Sequence, residues 1–81
     1  MATGVNDPKE LPGVIEKLVY ERAEIHMRAL RLQDALNSKK SINWTPEYRE
    51  ASMAQLEILH NYVNILKIRI TILEDKLFAH D

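Results

Sequence analysis

Leu56-Glu57-Ile58-Leu59-His60-Asn61-Tyr62-Val63-Asn64-Ile65-Leu66-Lys67-Ile68-Arg69-Ile70-Thr71-Ile72-Leu73-Glu74-Asp75-Lys76-Leu77 carries two apolar stripes. The first is Leu56, Leu59, Val63, Leu66, Ile70, Leu73 and Leu77, separated alternately by three and four residues. The second is Ile58, Tyr62, Ile65, Arg69 and Ile72, with the same spacing and one arginine in it. A helix needs one such stripe to pack against one neighbour. Two stripes predict two neighbours. One is another helix of the same chain. An 81-residue chain has little else to cover the second, so the pattern predicts self-association into a homo-oligomer.

Working outward, the start of this helix is well marked. Thr45 is a good N-cap, Pro46 suits the first helical position, and Glu47 places negative charge at the positive end of the helix dipole. Ile42 and Trp44 just ahead are expected to pack back as a hydrophobic staple. From Glu47 to Ala79 there is no Gly or Pro, so a helix over 45–79 is expected, roughly 50 Å long. Upstream, Leu11, Ile15, Leu18, Arg22, Ile25, Ala29, Leu32 and Leu36 form a matching seam, with Val19, Ala23, Met27 and Leu30 flanking it. A first helix over 11–37 follows, with Pro12 in its first turn, where a missing N–H costs nothing. Residues 38–44 read as a loop, because Asn37, Ser38, Ser41 and Asn43 compete for local backbone groups. Residues 1–10 read as a flexible lead broken by Gly4, Asn6, Asp7 and Pro8. The expected fold is all-α: an antiparallel two-helix hairpin with coiled-coil-like packing, assembling into a homo-oligomeric helical bundle.

Composition removes several function classes. No cysteine is present, so there is neither a disulfide framework nor a thiolate metal site. A net charge of −1 and a pI near 6.3 argue against a general nucleic-acid binder. No apolar run is long enough to span a bilayer, and lysines and arginines do not form the single polar face of a membrane-surface helix. Residues 1–10 lack the apolar run of a secretory leader, so the Asn43-Trp44-Thr45 sequon reads as chance and the expected location is the cytoplasm. The only glycines are Gly4 and Gly13, which excludes a glycine-rich phosphate loop. No serine sits in a recognisable nucleophile pattern. The chain reads as non-enzymatic, with no cofactor.

The candidate residues are cations and aromatics. Arg69 breaks an apolar stripe, so its guanidinium must meet a carboxylate, carbonyls, solvent or a ligand. It is either a salt-bridged arginine at an interface rim or an anion contact between protomers. Arg22 poses the same question in the first helix. Residues 28–49 hold Arg28, Arg31, Lys39, Lys40 and Arg49 against Asp34 and Glu47, a formal +3, together with Trp44 and Tyr48. Placed at the loop end of a hairpin, this group is either a solvated tip or a site for a phosphorylated, base-bearing ligand: charge for phosphate, ring for base. Tyr62 joins the candidate ligand contacts from the second stripe. Ile58, Tyr62, Ile65, Arg69 and Ile72 are the candidate oligomer or partner interface. Glu57 and His60 fit the Glu-x-x-His spacing of di-iron bundles, with Glu21 or Glu24 as further ligands. The pattern occurs once and His60 points off the seam, so no metal is expected.

The run Val14-Ile15-Glu16 through Glu21-Arg22-Ala23-Glu24-Ile25, followed by Gln55-Leu56-Glu57-Ile58-Leu59-His60-Asn61-Tyr62 through Arg69-Ile70, resembles small helical accessory proteins of tailed bacteriophages. The resemblance covers about residues 14–73. It departs at Trp44-Thr45-Pro46 and in the longer C-terminal tail. It implies a factor that counters host immunity, either by holding a cyclic-nucleotide signal between protomers or by blocking a host defence protein. No individual binding residue carries over from it.

Overall fold

A computed structural model describes residues 9–79 as two long helices folded side by side, spanning 56 × 20 × 17 Å. Helix α1 runs Leu11–Asn37 and helix α2 runs Pro46–Phe78. The N-terminal lead read at residues 1–10 falls almost wholly outside the described residues, as do His80 and Asp81. The two helices pack antiparallel along the seams identified above. Leu11, Leu18, Ile25, Leu66, Ile70 and Leu73 form the buried core, and Val14, Ile15, Leu59, Val63 and Leu77 pack against it. Ala29 and Leu36 extend the buried line towards the loop. Leu66 and Ala29 are completely buried. Burial of each leucine contributes about 1.5–3 kcal/mol. No helix is long and apolar enough to cross a membrane among the described residues.

The connector departs from the irregular loop read in the sequence. Lys39–Asn43 form a short 3₁₀ helix. Ser38 organises its start: its hydroxyl donates to Ala35 O at 3.0 Å and accepts from Lys40 N at 3.2 Å. Ser41 is buried, and its hydroxyl faces Leu36 O at 2.9 Å and Ser38 O at 3.0 Å. Arg49 reaches back from α2, donating from Nη2 to Ser41 Oγ at 3.1 Å and from Nη1 to Leu36 O at 3.4 Å. The last carbonyls of α1, which have no partner within the helix, are thereby satisfied by a hydroxyl and a cation.

Thr45 does cap α2: its Oγ1 accepts from Tyr48 N at 3.1 Å. Thr45→Ala is expected to lower stability by about 1 kcal/mol, read as a lower thermal midpoint by circular dichroism, whereas Thr45→Ser leaves it nearly unchanged. The expected staple forms only in half. Trp44 is half-buried with its ring edge-on to Tyr48 at a centroid distance of 4.8 Å, but Ile42 is 73% exposed. The 3₁₀ turn points Ile42 outward, leaving Trp44 as the one residue of the pair that packs.

Candidate functional site

One flank of the helix seam gathers much of the charged and aromatic chemistry. The Tyr62 hydroxyl donates to Glu21 Oε2 across the two helices. This bond pushes the Tyr62 phenol above its usual 10.0, helped by partial desolvation and by the negative charge of Glu21. The positive charges of Arg69 and Arg28 work in the opposite direction, so both guanidiniums lie within electrostatic reach of the ring. The sequence explains why. Arg28 follows Glu21 by seven residues and Arg69 follows Tyr62 by seven, two helical turns in each case, which returns the side chain to the same face. Because the helices run in opposite directions, one arginine stands towards the loop and the other towards the termini, with the Tyr62–Glu21 pair between them.

The raised phenol gives a direct spectroscopic expectation. In an alkaline ultraviolet titration, Tyr62→Phe removes an ionising component centred above 10. The sign follows from proton linkage. A phenol whose folded-state value exceeds its unfolded value favours folding below 10, and that contribution disappears as pH rises through the folded value.

The same flank is unusually apolar for a surface. Ile58, Ile65 and Ile72 are 65%, 55% and 58% exposed. These are the residues of the second stripe, with Tyr62 and the exposed Arg69 in line with them. Ile68, which the two-stripe reading left out, is exposed beside them and widens the face. Four surface isoleucines, with Tyr62 on the turn between Ile58 and Ile65, form a patch of the kind that marks an interaction surface. α1 sits over Leu59, Val63, Leu66, Ile70 and Leu73 and touches this face at Tyr62 through Glu21, which leaves its isoleucines exposed.

The remaining candidates separate from this cluster. Arg28 was expected at the loop tip with Trp44 and Tyr48. It stands instead in the middle of α1, within reach of Tyr62. Tyr48 and Tyr62 are fourteen residues apart on the same helix, about 21 Å, so the Trp44–Tyr48 pair and the Tyr62 cluster are distinct places on one chain. Arg31 is exposed one turn beyond Arg28 towards the tip. Arg49 is half-buried and holds the end of α1, as described above. Glu57 and His60 line an open groove of about 610 Å³ with Gln33, Asn37, Arg49 and Asn61. Glu21, considered as a further metal ligand, is instead bonded to Tyr62. No group of three or more His, Asp or Glu side chains is close enough to hold a metal among the described residues. Glu21 is the member of the cluster that reading each helix separately missed. Its signal was the shared seven-residue offset of Glu21/Arg28 and Tyr62/Arg69.

The model of one protein family, Sequestin, matches residues 12–72, about three quarters of the chain. The chain belongs to the Sequestin family. The matched span takes in most of α1, the whole connector and α2 through Ile72. It therefore contains the Tyr62 cluster, the exposed isoleucines and the capped start of α2. No curated protein and no solved structure matches this Sequestin-family chain.

Proposed function

We propose that this Sequestin-family chain is a non-catalytic binder that sequesters a small phosphorylated signal of the cyclic-nucleotide type. The family's name, a sequestering one, supports binding as the activity. The observation that carries the ligand class is the placement of Arg28 and Arg69 two helical turns to either side of the Tyr62–Glu21 pair on the antiparallel helices. Two guanidiniums separated by an aromatic ring suit a ligand with phosphates on both sides of a base: the forks bind phosphate oxygens and the ring stacks. The site is open in a single chain, since Tyr62 is 37% exposed. The isoleucine face beside it supplies the means of closing it. A second copy docked on Ile58, Ile65 and Ile72 brings a second set of Arg28, Tyr62 and Arg69 to the same interface. The bacteriophage resemblance gives the biological reading: an accessory protein that lowers the concentration of a host immune messenger in the host cytoplasm.

Equilibrium dialysis against a panel of cyclic di- and trinucleotides tests this. The protein side accumulates at least one of them, and heating the protein releases the compound chemically unchanged. Release of a cleaved or linearised product contradicts sequestration. The oligomer is tested separately. Ile65→Asp and Ile72→Asp place charge in the proposed interface without touching the buried seam, and sedimentation is expected to fall to that of a single hairpin.

The exposure of the isoleucine face also favours a second reading, in which Ile58, Tyr62, Ile65 and Ile72 dock on a host or phage protein as a helix in a groove. In that case nucleotide binding is absent, and Ile65→Asp abolishes capture of one stoichiometric partner.

A further inference from the structure

On the opposite side of the helix seam from Tyr62 lies a groove of about 440 Å³ lined by Val19, Arg22, Ala23, His26, Val63 and Lys67. At about 100° per residue, Arg22 and His26 fall across the α1 seam from Glu21 and Arg28, and Val63 and Lys67 fall across the α2 seam from Tyr62 and Arg69. The groove is therefore separate from the Tyr62 cluster. Its lining has two features. Every ionisable side chain in it is a base, with no carboxylate among them. The other three residues are small aliphatics that form an apolar floor. Arg22 is half-buried in the α1 seam, and no side-chain nitrogen is shut away from both solvent and a partner among the described residues, so its guanidinium is available to the groove it lines. Three cations over an apolar floor, with no carboxylate lining the groove, make a surface that attracts an anion.

We propose that this groove is a second anion-binding site, which takes the phosphate group of a small phosphorylated ligand and lays the ligand's body on Val19, Ala23 and Val63. Arg22 supplies a fork of donors, Lys67 a point charge from the facing helix, and His26 a third donor one turn from Arg22 on the same helix. The volume falls in the range of small-ligand sites and exceeds what a bare phosphate fills, which is why a body is part of the assignment. The site does not depend on the Tyr62 reading, and either can fail without the other.

Inorganic pyrophosphate is the probe for the charged half of the site, and the three histidines of the chain, at 26, 60 and 80, are the reporters. In a ¹H–¹³C NMR titration, the His26 ring resonances move saturably while those of His60 and His80 stay in place. Arg22→Gln and Lys67→Gln each weaken the pyrophosphate affinity read at His26 about tenfold or more, whereas Lys39→Gln and Lys40→Gln at the tip leave it unchanged. Circular dichroism of each variant confirms that the hairpin is intact. If Arg22→Gln disturbs the hairpin, the wild-type His26 titration and Lys67→Gln decide the matter alone. The proposal is overturned if the His26 resonances do not move with millimolar pyrophosphate. It is equally overturned if all three histidines move together, or if Lys39→Gln and Lys40→Gln at the tip weaken binding as much as Lys67→Gln, because either result means unspecific attraction to positive charge.

Discussion

Leu66→Ala is expected to cost about 2–5 kcal/mol, the largest stability loss of any single truncation in this hairpin. Leu66 is completely buried at the centre of the core formed by Leu18, Ile25, Ile70 and Leu73. A two-helix unit has no second layer to collapse into the space left behind. A domain of this size buries a modest fraction of its surface and has little stability in reserve. The expected observation is a thermal midpoint lowered by 10 °C or more on the scale of about 4–8 °C per kcal/mol for small domains, or a chain that is unfolded at room temperature. Ile65→Ala, one residue away and 55% exposed, is the control. If the exposed face is an oligomer interface, Ile65→Ala lowers the midpoint in a concentration-dependent way, while Leu66→Ala lowers it at every concentration. Equal, small effects from both substitutions would show that the helices do not pack on the Leu66 seam.

The second large effect is on binding. Hydrogen bonds to charged groups contribute about 1.5–3 kcal/mol each, so Arg28→Ala or Arg69→Ala is expected to weaken a phosphorylated ligand by about ten- to a hundredfold. The double variant loses more than either alone. The two arginines approach Tyr62 from opposite directions along the hairpin, and neither can replace the other. Stability should change little, because both side chains are exposed and Tyr62 keeps its bond to Glu21. This separates a ligand contact from a structural one. Arg49→Ala provides the contrast: its guanidinium ties Ser41 and the Leu36 carbonyl, so its loss loosens the connector and lowers stability first. Isothermal titration alongside thermal unfolding distinguishes the two patterns.

The hairpin was legible because its signals are periodic and local. The Leu56–Leu77 stripe, the matching seam of α1 and the Thr45-Pro46-Glu47 start each need only spacing and residue type to be read. What escaped depends on how the helices meet. Arg49 looked like one more cation at the tip. Only the folded chain shows that the end of α1 sits within its reach and that a buried Ser41 completes the tie. Arg28 was assigned to the tip because charge was counted along the sequence, while its place on the helix surface is set by the seven-residue offset from Glu21. Ile42 was read as a staple because apolar residues before an N-cap often are; the 3₁₀ turn, held by Ser38 and Ser41, points it outward instead. The cationic groove of Arg22, His26 and Lys67 draws on both helices and has no signature in either one alone.

Thermal unfolding of the purified protein with a panel of cyclic di- and trinucleotides, each compared with buffer alone, is the most direct test of sequestration. A ligand present at 100 times its dissociation constant adds roughly 2.7 kcal/mol, which raises the midpoint of so small a domain by more than 10 °C on the same scale. The expected result is a saturable rise with at least one of these compounds that disappears in the Arg28→Ala, Arg69→Ala double variant. An unchanged midpoint with every cyclic nucleotide, or a rise that the double variant retains in full, would contradict a phosphorylated messenger held at Tyr62.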